Sequence, residues 1–195
     1  MPEEKPQPED AGRVREVSAA DFTGRGAIIR GEDYRGRSFE RADVRFCSFL
    51  ETNMAYMEVC GGGSFVGNGW ENCSLFAWKL SGVVMEMERF QRCSMGGTGF
   101  AGLRMEGVRF RDCTFAGSVW TGTAVRGGAF ENCNFRGMRF AKGSIEKTTF
   151  QNCVFDRTDL SAVRMRRVRF CGCVFRNMER MPEEGCGYKD CVVAR

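Results

Sequence analysis

Every fifth residue from Phe65 to Phe175 is large and apolar. The series runs Phe65, Trp70, Leu75, Leu80, Met85, Phe90, Met95, Phe100, Met105, Phe110, Phe115, Trp120, Val125, Phe130, Phe135, Phe140, Ile145, Phe150, Phe155, Leu160, Met165, Phe170, Phe175. An earlier series, Tyr34, Phe39, Val44, Phe49, Met54 and Val59, keeps the same period one residue out of phase. The slip falls in "CGGGS", Cys60 to Ser64, where glycines permit a bulge or small loop. A beat of five matches neither the 3.6 of a helix nor the 2.0 of a plain strand. It fits a chain that turns a corner after each short extended segment. Residues two apart on an extended segment share a face, so the residue two before each anchor also points inward. That second slot holds small or medium side chains: Val83, Leu103, Val108, Ser118, Thr123, Met138, Thr158, Val163, Val168.

A longer recurrence sits on top. "FRDCTF" from Phe110, "FENCNF" from Phe130 and "FQNCVF" from Phe150 return every twenty positions, with relatives at Trp70, Phe90 and Phe170. Twenty residues are four segments, hence one turn of a square coil. Coils stacked about 4.8 Å apart, seven or eight of them, would make a rod of about 35 Å. Cys73, Cys93, Cys113, Cys133, Cys153 and Cys173 then occupy one inward column. Asn72, Asp112, Asn132 and Asn152 precede four of them, where such side chains hydrogen-bond turn backbone. No proline occurs between Pro8 and Pro182, as a continuous hydrogen-bonded sheet requires.

"ADFTG" (Ala20 to Gly24), "CNFRG" (Cys133 to Gly137) and "TDLSA" (Thr158 to Ala162) resemble the A(D/N)LXX consensus of the pentapeptide-repeat family. The resemblance implies an all-β fold, a right-handed quadrilateral β-helix. This chain departs from the family in placing Cys, Val or Thr where Ala is usual, and often Arg or Gly where Asp or Asn is usual. The expected organisation is a polar tail over 1–18, a β-solenoid over 19–178 and a cap or tail over 179–195, where the beat is lost. An end coil is the candidate homodimer contact, although Pro182, Gly185 and Gly187 leave no amphipathic helix there.

Trp78 and Glu88 fall at second slots beside Trp70. A channel packed at crystal density resists an indole or a carboxylate. A register shift turning both outward is therefore expected, the alternative being a loop or groove that touches a partner.

Chemistry is sparse. The chain has no histidine, which removes the usual general base and metal ligand. No phosphate loop, nucleophile elbow or paired-carboxylate motif appears, so no catalytic residue, cofactor or metal is expected. A parallel thiol column packs as a small hydrophobe and does not converge on a metal. Outside the column, Cys171, Cys186 and Cys191 form with Cys173 a loose C-x-C-x₁₂-C-x₄-C pattern, read as unrelated thiols against a metal cluster or disulfide staple. Cys47 fits an inward slot of the earlier register, and Cys60 lies at the slip. No run of eighteen apolar residues or apolar leader is present, so a membrane span is not expected and a reducing cytosol is.

Charge is uneven. From Tyr34 to Gly99 there are seven basic and seven acidic residues; from Phe100 to Met178, fourteen and six. On the square coil Arg89, Arg109 and Arg169 precede anchors of one side, and Arg104 and Arg164 those of the adjacent side. Arg111, Arg126, Arg166 and Arg167 are expected to flank the corner between them. These nine are the candidate partner-binding residues. Three readings follow. The first is a non-catalytic scaffold whose rigid surface meets a macromolecular, most simply protein, partner. The second comes from the resemblance: family members whose acidic rod imitates DNA bind DNA gyrase or topoisomerase IV, inhibiting the enzyme or giving quinolone protection. Rows of carboxylates are what that needs, and this rod is basic at one end. The third is nucleic-acid or anion binding along the arginines.

Overall fold

The computed structural model describes residues 21–194; the tail expected over 1–18 lies outside them. The described chain is all strand and turn, wound as a parallel β-solenoid with four faces. The first face stacks strands from Asp21–Arg25 through Arg41–Arg45, Gly63–Val66, Val83–Glu86 and Arg104–Glu106 to Val163–Arg166. The second face is a nine-stranded sheet running from Ile28–Arg30 to Cys186–Lys189. The third face is tied by single bridges from Asp33↔Asn53 onward, then by Val154–Asp156, Val174–Arg176 and Val192–Ala194. The fourth stacks Ser38–Phe39, Glu58–Val59, Lys79–Ser81 and Gly99–Ala101. Val119–Arg126 and Arg139–Glu146 each run unbroken from the fourth face into the first.

The corner explains the beat. From Phe65 to Phe175 the residue two after every anchor except Leu160 adopts the left-handed conformation that closes the turn. From Gly102 through Gly107, Asp112, Gly117, Gly122, Gly127 and Asn132 to Gly137, φ lies between 53° and 68° at every fifth residue. Glycine enters that region freely and Asn or Asp at small cost. At Phe115 the corner is a turn with Ser118 N–H donating to Phe115 O at 3.0 Å and Gly117 at its third position. The expected hydrogen bonds from Asn72 and its equivalents to turn backbone do not form as such. Asn132 Nδ2 instead donates to Asp112 Oδ1 one coil below, at 3.0 Å, and Arg92 Nε to Asn72 Oδ1 at 2.8 Å. Bonds back to the turn occur one position before the third- and fourth-face anchors, where Asp33, Asn53, Asn134 and Asp159 accept from Arg35, Ala55, Arg136 and Ser161 N–H.

Coil count and ends differ from expectation. The second face crosses nine coils, not seven or eight. The first coil is real despite its broken beat, because Phe22 takes the second slot opposite Ala42 while Gly24 sits opposite Val44. The C-terminal segment is no separate cap. Cys186 pairs with Val168 and Val192 with Val174, so a coil two residues short completes the stack and hides its period. At the slip the spacing widens to twenty-one residues: Val44 pairs with Phe65. Gly63 has φ of 129°, and a Cβ there would stand 2.0 Å from Ala42 O, so no side chain fits.

All 23 anchors from Phe65 to Phe175 are buried or, at Met165, partly buried. Along the second face Phe49, Trp70, Phe90, Phe110, Phe130, Phe150, Phe170 and Tyr188 form one stack, with centroid spacings of 4.1 to 5.5 Å. Phe115, Phe135, Phe155 and Phe175 make a second, which meets the first edge to face. Each such contact adds about 0.5–1.5 kcal/mol beyond apolar burial. Phe140 lies on the fourth face against Trp120.

The cysteine column holds Cys73, Cys93, Cys113, Cys133, Cys153 and Cys173, all buried. Cys133, for example, places Sγ 3.6 Å from Phe110 O and 3.3 Å from Glu131 O. Cys191 extends the column, correcting its placement outside it; its Sγ repeats the contact pattern with Phe170 O and Lys189 O. Cys186 joins a different inward column, above Val168, and touches Met165 Sδ at 3.4 Å. All eleven cysteines are free thiols. Cys47 is buried and Cys60 exposed.

Trp78 and Glu88 do not turn outward, and no loop or groove forms at them. Both are fully buried. Glu88 Oε1 accepts from Asn68 N and Nδ2, each at 2.9 Å, and its Oε2 from Trp70 Nε1. Asn68 is itself satisfied by Cys47 N and Val44 O. Burial drives the Glu88 carboxyl up to about 7 against these three donors. The Trp78 ring packs 5.6 Å from Trp70 and 5.8 Å from Phe65, with its Nε1 unpartnered.

Candidate interaction surface

Because the lumen is filled by side chains, another molecule meets the outward positions along the rod's sides. The nine candidate arginines are all exposed. On the first face Arg104 precedes its anchor, Ala124 and Ser144 follow in the next coils, and Arg164 comes after them. On the second face Arg89 and Arg109 stand on adjacent coils, then Ala129 and Thr149, then Arg169. Each column is therefore interrupted at two successive positions. Arg89, Arg104 and Arg109 make the first cluster.

The second cluster gathers at the corner between these faces. Arg126, Glu146 and Arg166 are directly paired neighbours on three successive strands. Glu146 is shared: Arg126 Nε lies 4.0 Å from one carboxylate oxygen and Arg166 3.8 Å from the other. Arg167 follows at the turn, with Arg164 and Arg169 on either side. Among the described residues no ion pair forms at Arg89, Arg104, Arg109, Arg164, Arg167 or Arg169.

Arg111 does not belong to that corner. It follows the second-face anchor Phe110, so it lies on the far side of the face beside Asp112, and pairs with Glu131 at 2.7 Å. Lys147 is the residue that arginine counting missed. It takes the left-handed turn position one coil below Arg167, with φ of 48° and 54° respectively. Arg126, Glu146, Lys147, Arg166 and Arg167 together line a cleft of about 130 Å³.

The exposed large apolar side chains lie mostly toward the first coils. Tyr56 and Phe76 meet edge to face at 5.5 Å on the corner between third and fourth faces. Phe46 and Met87 stand on the corner that later carries Lys147. At the last coil Val192 and Val193 are exposed. Among the described residues no group of three His, Cys, Asp or Glu converges as a metal site.

The family model described as "Pentapeptide repeats" matches eight copies over residues 144–177. No curated protein matches the chain. Among solved structures, a trypsin-treated form of QnrB1, a plasmid-mediated fluoroquinolone resistance protein, is 12% identical, with 89% of this chain and 91% of that chain covered and a TM-score of 0.42. HetL, a pentapeptide repeat protein involved in heterocyst differentiation regulation from the cyanobacterium Nostoc, is 9% identical over 88% and 86%, with a TM-score of 0.24. The catalytic domain of Agl-KA is 9% identical over 90% of this chain and 48% of that one, at 0.38. Likeness at this level carries no partner or activity over to this chain.

Proposed function

We propose that this chain, whose residues 144–177 match the pentapeptide-repeat model, is a non-catalytic rod presenting a fixed lattice of side chains to a protein partner in a reducing cytosol. The observation that carries this is the division of the molecule: a lumen closed by buried side chains, and outside it cations held on a rigid backbone at coil spacing. Eight of the nine candidate arginines surround the first two faces without crossing to the far corner, so a partner approaching that side meets a net positive surface.

The DNA-mimic reading finds less support. Imitating a duplex calls for rows of carboxylates, and the first face offers Glu86 and Glu106 on neighbouring coils before Arg126 reverses the sign. A supercoiling assay with gyrase and titrated protein tests it: inhibition or quinolone protection at micromolar protein would replace the scaffold reading. For the scaffold reading the test is quantitative capture from the source cell with the parent and with a variant in which Arg164, Arg166, Arg167 and Arg169 are Ala. Selective loss of a captured protein from the variant is expected. The same proteins retained by both would remove this surface from the function.

A further inference from the structure

The corner between the first and second faces changes character along the rod. Its left-handed turn positions run Gly26, Phe46, Gly67, Met87, Gly107 and Gly127, and then the two cations Lys147 and Arg167. A lysine or arginine there bears the cost of a left-handed backbone without the local hydrogen bond that Asn or Asp supplies. Two in succession put both side chains outward on one edge, one coil apart. Arg126 and Arg166 flank them, and the one carboxylate lining the cleft, Glu146, is divided between two arginines at long distance, with Glu106 and Glu184 one coil further out on either side. Four cations against one anion leave a local excess of three around a cleft of about 130 Å³. An open cleft of that size admits one small oxyanion.

We infer that this corner binds a phosphomonoester carried on a protein segment. The inference rests on the rod being an interaction surface and names what that surface reads. A phosphomonoester carries nearly two negative charges at neutral pH and three acceptor oxygens, which suits two guanidinium forks and an ammonium on a common centre. Nucleic acid fits less well. A strand presents phosphates continuously, yet both arginine columns are interrupted for two coils by Ala124 and Ser144, and by Ala129 and Thr149. No exposed aromatic lies by the cleft to stack a base; the exposed rings are Phe46, Tyr56, Phe76 and Tyr188, on other coils or corners.

Calorimetric titration of the full chain tests this with four probes: a Gly-Ser heptapeptide bearing one central phosphoserine, its unphosphorylated twin, inorganic phosphate and a ten-residue oligothymidylate. The phosphopeptide should bind, its twin should not, and affinity should fall as salt rises. Replacing Lys147 and Arg167 by Ala should weaken phosphopeptide binding about tenfold or more, whereas Arg104→Ala with Arg109→Ala should leave it unchanged. Glu146→Gln should tighten binding several-fold, a gain that misfolding cannot imitate. Equal binding of the twin, phosphate binding without phosphopeptide binding, oligothymidylate binding as tight as the phosphopeptide, or indifference to Lys147 and Arg167 would each overturn the inference. None of these outcomes would touch the scaffold reading, which stands or falls on the capture experiment.

Discussion

Residues 61–90 and residues 110–170 keep the same beat but fill the lumen in different ways. In the later coils the second slots hold Cys, Val, Ser, Thr, Met and, at Gly128 and Gly143, glycine, with no charged or indole side chain among them, and one ring stacks on the next along the second face. In the earlier coils the same slots hold Gly63, Asn68, Trp78 and Glu88, and the stack is interrupted in kind by Trp70. The regular half is stabilised by repetition: each ring finds an equivalent ring above and below. The irregular half is stabilised by particular contacts, Asn68 and Trp70 donating to Glu88 from the coil beneath. A solenoid interior thus tolerates a buried carboxylate where specific neighbours satisfy it, and the contrast can be tested at single residues.

The largest effect is expected in the regular half. Phe130 is fully buried between Phe110 and Phe150 and meets Phe115 and Phe135 edge-on. Phe130→Ala should cost about 3–5 kcal/mol, the transfer free energy of the ring plus an uncollapsed cavity. Urea unfolding measures it; a loss under about 1 kcal/mol would show that the stack relaxes freely and that repetition is not what holds this half together.

Glu88 probes the irregular half. Its folded carboxyl is raised to about 7 from an ordinary 4.5, so between those values the folded state holds more protons than the unfolded one. Stability from this group is then full below about pH 4.5 and is lost as pH climbs through 7. The span corresponds to roughly 2–4 kcal/mol. Glu88→Gln cannot titrate and should erase this slope; because both Glu88 oxygens accept and an amide NH2 cannot, the variant should carry a pH-independent cost, and the readout is its flat profile against the parent's fall between about pH 4.5 and 8. Parallel unfolding curves across that range settle the matter, and a parent that grows more stable with rising pH would show that the three donors outweigh burial.

A smaller effect is expected in the cysteine column. Cys133→Ala removes one thiol lodged between two carbonyls and should cost about 1 kcal/mol, within the usual range for a small buried truncation. Because Cys133 serves as packing there, Cys133→Val should do no worse. Loss of the fold on either change would assign the thiols a role beyond filling space.

Much of this architecture was legible because a beat of five is a backbone property: it records where the chain must turn, and glycine, asparagine and aspartate mark those corners. What escaped depended on neighbours one coil away. Glu88 alone reads as a misplaced charge; only pairing it with Asn68, twenty residues back, and Trp70, eighteen back, makes it a satisfied acceptor. The last coil escaped because its return is two residues short, which moved Tyr188 and Cys191 off the beat while leaving them stacked on Phe170 and the thiol column. At the surface, the side of an anchor decides which corner a residue faces. That separates Arg111 from Arg126, although both follow anchors. Lys147 carried a readable signal, a cation at a position that elsewhere on its corner is often glycine.

The smallest stability effect belongs to the surface, where the two halves differ most in charge. Arg164, Arg166, Arg167 and Arg169 are exposed, and the one ion pair among them, Arg166 with Glu146 at 3.8 Å, lies in solvent. Exposed pairs contribute about 0–1 kcal/mol, and crowding four cations into one coil costs something in repulsion that their removal relieves. The quadruple Ala variant should therefore unfold within about 1 kcal/mol of the parent, with the difference shrinking further as salt screens what remains. A loss as large as that of Phe130→Ala would mean that these arginines hold the last coils in place, and the division between a filled lumen and a free cationic exterior would no longer describe the C-terminal half.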